Sequence, residues 1–285
     1  MANTDRDLAG LFVVITGANT GIGRATAAEL GRRGAGLVLA CRSEKRTRPI
    51  LDEIRAQGSG DAEFIDLDLA AFASVRACAA RITELGRPVD RLINNAGLAG
   101  HRGTTKDGFE LAFGTNHLGH FLLTMLLVPT LRAAARARIV NVASQAHYDA
   151  PGIDFDAVCK STRSITGLRE YAVSKLANVL FTRELARRIG PSGIHSYSLH
   201  PGVVASDAWR RVPWPVRPFI KRGMLSNEEG ARTTIYCATA HEVEGDDGLY
   251  YDVCRTKEPS APAHDAELAR RLWERSASWT AADLR

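Results

Sequence analysis

The chain has 285 residues, 45% of them apolar and 24% charged, which excludes a peptide hormone, a disulfide-stapled mini-domain and a chain disordered throughout. Its net charge of +5, from 37 Lys and Arg against 32 Asp and Glu, favours solubility and gives no footprint for nucleic acid. Five scattered cysteines (Cys41, Cys78, Cys159, Cys237 and Cys254) form no C-x-x-C pair, so no zinc ribbon or redox dithiol is expected and a reducing compartment is. The N-terminus lacks an apolar h-region and no stretch reaches about 18 apolar residues, so neither signal peptide nor integral membrane segment is expected; the chain reads as cytoplasmic.

In chain order, residues 11–16 (LFVVIT) form a short apolar, β-branched run, the pattern of a strand buried on both faces. A glycine-rich turn and a helix over 22–33 follow, then a strand at 37–40 and a helix over 49–57 opened by Pro49. Strands at 64–66, 91–94 and 138–142 alternate with helices over 72–85 and 108–132. A strong helix over 171–189 stops at Gly190-Pro191, and strands at 194–199 and 249–253 bring the total to seven. This alternation predicts a Rossmann-type α/β fold, a doubly wound parallel sheet in one domain spanning 1–285. Residues 203–225, rich in Trp, Pro and Arg, read as a substrate lid or an interface patch.

The first turn reads Thr16-Gly17-Ala18-Asn19-Thr20-Gly21-Ile22-Gly23. Glycines between a buried strand and a helix permit a tight turn, and N–H groups at the helix start then face a diphosphate. The second strand ends at Cys41-Arg42 where an acidic residue would bind a ribose 2′-OH. A guanidinium there suits a 2′-phosphate, which points to NADP(H). After the third strand, Asp68 offers either an acceptor for an adenine amino group or a helix cap, beside Leu69.

The fourth and fifth strands end in Asn94-Asn95-Ala96-Gly97 and Asn141-Val142-Ala143-Ser144. The carboxyl edge of a doubly wound sheet is where ligands bind, so these ends converge on one crevice. Tyr171 and Lys175 lie four apart on one helix face. An ammonium beside a phenol is expected to lower its pKa and make it a usable proton carrier, with Ser144 bonding a carbonyl oxygen. His147 and His200 lie near the same crevice and offer either substrate contact or structural hydrogen bonds. His117 and His120 lack companion ligands for a metal and are expected to pack.

Together TGANTGIG (16–23), NNAG (94–97), NVAS (141–144), YAVSK (171–175) and HPG (200–202) resemble, in order, the motifs of the short-chain dehydrogenase/reductase family. ACR (40–42), TNHLGHFLLT (115–124), SKLANVLFTREL (174–185), HPGVV (200–204) and RRLWERS (270–276) are similar to its retinol-dehydrogenase-like reductases. The resemblance implies a catalytic tetrad of Asn116, Ser144, Tyr171 and Lys175. It implies a cofactor site drawn from Gly17, Asn19, Thr20, Gly21, Ile22, Gly23, Arg42, Asp68, Leu69, Asn95, Ala96, Gly97, Tyr171, Lys175, Pro201, Gly202, Val204 and Ser206. The expected reaction is hydride transfer between NADP(H) and a carbonyl or alcohol of a lipophilic small molecule. The alternatives are a non-redox step (cyclisation, dehydration or epimerisation) and a non-catalytic NADP(H) sensor. Phe121, Met125 and Phe181 fall where the family resemblance suggests a homodimer seam, with core packing as the other reading.

Overall fold

A computed structural model describes residues 6–57, 61–203 and 225–282. Among these, eight strands form one sheet in the order β3-β2-β1-β4-β5-β6-β7-β8. They are β1 Phe12–Thr16, β2 Gly36–Cys41, β3 Ala62–Asp66, β4 Arg91–Asn94, β5 Ala137–Val142, β6 Ile194–His200, β7 Leu249–Asp252 and β8 Arg255–Thr256. The first seven pair in parallel and β8 returns antiparallel. That is the doubly wound order, and its reversal between β1 and β4 opens the crevice at the carboxyl edge. The eighth strand, only two residues long, is beyond the seven expected from sequence.

Alternation along the strands divides the core. Val14, Val38, Leu92 and Ile139 face one layer, while Val13, Ile15, Leu37, Leu39, Ile93 and Val140 face the other. With both faces covered, β1 and β2 are almost wholly apolar, which is why no polar alternation appears in those two segments. Helices α1 (Gly21–Arg32) and α2 (Glu44–Ala56) lie in the second layer; α3 (Phe72–Glu84) lies in the first. Pro49 sits inside α2 rather than opening it. Ser43 is the N-cap, its side chain accepting from Arg46 N, and Glu44 complements the positive helix end.

The long helix expected over 108–132 is built in three pieces: α4 (Leu111–Phe113), a π turn (Gly114–Leu118) and α5 (Gly119–Arg132). As a whole, Leu111–Arg132 is long and apolar enough to cross a bilayer, but 89% of its apolar window is buried within the fold. It passes under the sheet beside α6 (Leu168–Ile189), and the chain adds α7 (Asn227–Thr239) and α8 (Ala266–Thr280). Helix α8 occupies the expected dimer seam. Trp273 packs edge-on against Phe121 at 5.2 Å and lies 5.9 Å from Phe181. Phe121, Met125 and Phe181 are accordingly buried within one chain, and core packing is the correct reading for them.

Candidate active site

At the nucleotide end, Gly17 takes φ +69°, and a Cβ there would come 2.9 Å from Ala96. A Cβ on Gly23 would lie 2.4 Å from Asn95 Nδ2. The two glycines therefore let the turn after β4 dock directly on the turn after β1. Hydrogen bonds fasten the pair: Asn95 Nδ2 donates to Thr16 O at 2.9 Å, while Thr16 Oγ1 accepts from Asn95 N at 3.0 Å and Ala96 N at 2.9 Å. Asn19, Thr20, Gly21 and Ile22 remain partly exposed around the start of α1. The N-cap Thr20 makes no side-chain cap bond and the first turn carries no acidic residue, so its N–H groups suit a phosphate. Arg42 stands exposed just beyond β2. This end fits a dinucleotide.

Asp68 does not cap α3. That helix begins at Phe72, whose N–H donates to Asp107 at 2.9 Å. Asp68 instead accepts from Ala70 N at 3.1 Å and pairs with Lys106 at 3.3 Å. The Asx turn Asp68 closes at Ala70 comes too early for the helix start, and Asp107 reaches it from another loop. Leu69 is buried, and its carbonyl lies 2.5 Å from where a Gly119 Cβ would be. A glycine at 119 is what allows α5 to approach that loop.

At the chemistry end, the π turn presents Asn116, a setting typical of functional positions. Its Nδ2 donates to Leu98 O and to Ser174 Oγ, both at 3.0 Å, and its Oδ1 accepts from Leu98 N at 2.9 Å. Ser174, inside YAVSK, is a member of the site that sequence reasoning missed. The Gly97 Cβ position lies 3.4 Å from Asn116 Oδ1 and 3.5 Å from Lys175 Nζ, so the glycine turn folds over both. Lys175 Nζ donates to Val142 O at 2.8 Å, at the end of β5. Burial lowers its pKa to about 8.

One turn earlier on α6, the Tyr171 ring centroid is 5.6 Å from Lys175 Nζ. The Ser144 side chain is near enough to the Tyr171 hydroxyl to pull its pKa down, but burial is the larger effect and raises it above the ordinary value of 10. The expected lowering is therefore overturned: desolvation sets the direction of the shift, and Tyr171 is held as a neutral phenol. Asn116, Ser144, Tyr171 and Lys175 nonetheless gather at one point.

The histidines are engaged in structure. His117 Nε2 meets Ser276 Oγ at 2.9 Å, and His120 meets Thr16 Oγ1 at 2.9 Å and Asn116 O at 3.0 Å. His147 and His200 bond around Ser144, through Ser144 O and Gln145 N. Pro201 and Gly202 follow β6 at the carboxyl edge, Gly202 with φ +86°. Val204 and Ser206, and the expected lid apart from its end residues, lie outside the described residues. The two ends meet, Leu225 N donating to Val203 O at 3.0 Å.

A family model described as short chain dehydrogenase matches residues 11–214, and the chain belongs to that family of oxidoreductases. Within it the chain is retinol-dehydrogenase-like. Human retinol dehydrogenase 13 is 43% identical over 278 residues, covering 94% of this chain and 84% of the relative. Among solved structures, an uncharacterised protein from Mycobacterium paratuberculosis is 34% identical with a TM-score of 0.79, covering 99% of this chain and 98% of that one. A protein described as an NAD(P)-dependent gluconate 5-dehydrogenase from Beutenbergia cavernae, with NADP bound at low occupancy, is 25% identical with a TM-score of 0.70, covering 87% of this chain and 97% of that one.

Proposed function

We propose that this oxidoreductase reduces a carbonyl group on a lipophilic small molecule with NADPH. The observation that carries the reading is the meeting of Asn116, Ser144, Tyr171 and Lys175 at the carboxyl edge, beside a turn shaped for a dinucleotide. Gly17, Asn19, Thr20, Gly21, Ile22 and Gly23 would hold the diphosphate, and Arg42 the 2′-phosphate. Asp68, Leu69, Asn95, Ala96 and Gly97 would line the adenosine side, and Pro201, Gly202, Val204 and Ser206 the nicotinamide side. When bound, the nicotinamide supplies the hydride.

The chain's own groups handle the proton and the oxygen. Ser144 donates a hydrogen bond to the substrate carbonyl oxygen. Tyr171, a neutral phenol at working pH, gives that oxygen its proton, and its raised pKa favours donation over abstraction. Lys175, anchored by Val142 O, lies near enough to stabilise the phenolate left behind. Asn116 holds the Leu98 backbone and Ser174 in place around them. A lipophilic substrate is suggested by the retinol-named relative, and the free thiols suit a reducing cytoplasm.

The test follows NADPH absorbance against aldehydes and ketones of rising chain length, all-trans-retinaldehyde included. Faster turnover with longer apolar chains is expected. Product formed without any change in NADPH would replace this reading with a non-redox step, and binding of NADPH with no turnover of any carbonyl would point to a sensor.

A further inference from the structure

The peptide group that joins Ser144 to Gln145 is held at both of its polar atoms by imidazoles from two different parts of the chain. His147 is fully buried, and its Nε2 lies 3.1 Å from Ser260 N. A backbone N–H can only donate, so Nε2 is the acceptor and the proton sits on Nδ1. That Nδ1–H donates to the Ser144 carbonyl at 2.7 Å, where His147 N also donates at 3.1 Å. On the next residue, Gln145 N donates to His200 Nδ1 at 3.2 Å, which fixes His200 with an unprotonated Nδ1. One imidazole thus ties the serine to the segment after β8, and the other ties it to the turn that begins HPG.

We propose that His147 and His200 are positioning residues that clamp the Ser144 turn, and that they do so only as neutral imidazoles. The proposal rests on Ser144 being the hydroxyl that meets the substrate. Adding a proton puts an N–H on His147 Nε2 facing Ser260 N–H, or an N–H on His200 Nδ1 facing Gln145 N–H. Either exchange turns a hydrogen bond into a clash of two donors and loosens the peptide that follows the serine.

The surrounding groups favour the neutral forms. Around His147 stand Asp149 on its own turn, Lys257 and Glu258 after β8, the rings of Tyr148 and Tyr250, and His200; α6 brings Tyr171 and Lys175 to the same turn. Around His200 stand Asp252, its register partner on β7, and Lys257, which are themselves paired at 2.7 Å. Asp149 and Asp252 favour protonation, but burial and Lys257 oppose it, and both imidazoles titrate below the ordinary 6.5.

The experiment combines kinetics with histidine NMR, using 4-nitrobenzaldehyde and NADPH as probes. His200→Leu should lower kcat/KM for the aldehyde at least about tenfold, the loss of one positioned hydrogen bond, and leave NADPH affinity within about twofold. His200→Asn restores an oxygen acceptor near the Nδ1 position. It should recover most of the activity and reduce the acid limb of log kcat against pH from a slope of two to a slope of one. Long-range ¹H–¹⁵N spectra at pH 7 should place the proton on Nδ1 of His147 and on Nε2 of His200. The opposite tautomers would overturn the clamp, as would wild-type kinetics in His200→Leu while Ser144→Ala is inactive. Full turnover in Ser144→Ala would instead remove the catalytic reading of Ser144 and the kinetic half of the proposal with it, leaving the tautomers to decide whether the imidazoles hold the turn.

Discussion

The two edges of the sheet bury polar groups for opposite ends. At the amino edge, Arg91 and Arg138 are buried at the starts of β4 and β5. Arg91 donates to Ala238 O, Asp90 O and Arg136 O; Arg138 donates to Cys237 O and Ala240 O. The last carbonyls of α7 therefore gain cationic donors, which satisfies both the helix end and the buried charge. At the carboxyl edge, Lys175 donates to Val142 O, and the Tyr171 and Ser144 side chains stand together within reach of the crevice. A buried charge saturated by backbone is a strut. A buried group with donor capacity left over, beside a partner hydroxyl, is a candidate for chemistry.

The sharpest break between the edges comes from Tyr171→Phe. Removing the phenolic proton should lower kcat by about 10³-fold, within the range for general acid catalysis, while NADPH affinity measured by fluorescence titration stays within about twofold. Turnover near wild type would end the assignment of Tyr171.

The helical segment that carries Asn116 also makes the fold acid-sensitive. Burial lowers the pKa of His117 to about 3 and of His120 to about 4. Both are neutral in the folded chain at pH 5, whereas an unfolded imidazole near 6.5 is then protonated. Stability is therefore fully present above pH 6.5 and falls as the pH drops toward the folded values. Each histidine should remove about 2 kcal/mol between pH 7 and 5, or about 4 kcal/mol for the pair. Urea unfolding at the two pH values measures the loss, and imidazole resonances of His117 or His120 titrating near 6.5 would contradict it.

How much of this was legible depends on whether a role sits in local pattern or in a distant partner. Strands β1 and β2 were readable because burial on both faces leaves a nearly unbroken apolar run. Ser144, Tyr171 and Lys175 were readable because strand ends and a four-residue helical spacing fix where they point. The start of α2 was misread because Pro49 outweighed the quieter signal of Ser43 followed by Glu44. The helix-cap alternative for Asp68 failed because the carboxylate that meets the start of α3, Asp107, comes from a loop 35 positions away from Phe72. Seam and core could not be separated for Phe121 and Phe181, since only the docking of α8 distinguishes them. The direction of the Tyr171 shift was wrong for a related reason: spacing reports the neighbouring ammonium but not the depth of burial.

At the amino edge the expected effect is on stability alone. Arg138→Ala would leave Cys237 O and Ala240 O without their donor and remove a contact to Glu244. A loss of about 3 kcal/mol is expected from two buried carbonyls left unsatisfied, with kcat unchanged for the folded fraction. A fall in kcat at constant folded fraction would mean that the two edges are coupled through β5, and that the strut is not only a strut.

The smallest effect separates shape from recognition at the nucleotide end. The glycine-rich turn is fixed by packing against Asn95 and Ala96, whereas Arg42 is exposed beyond β2. Arg42→Asp should therefore leave the melting temperature nearly unchanged. Its effect should fall on the ratio of kcat/KM for NADPH over NADH, lowered about 30-fold by loss of a charge-assisted bond to the 2′-phosphate, about 2 kcal/mol. The acidic side chain adds an acceptor for a 2′-OH, so part of that change should be a gain with NADH and not only a loss with NADPH. If both cofactors weaken equally, Arg42 supports the turn rather than reading the phosphate, and the basis for preferring NADPH shifts to Lys45 or Arg46.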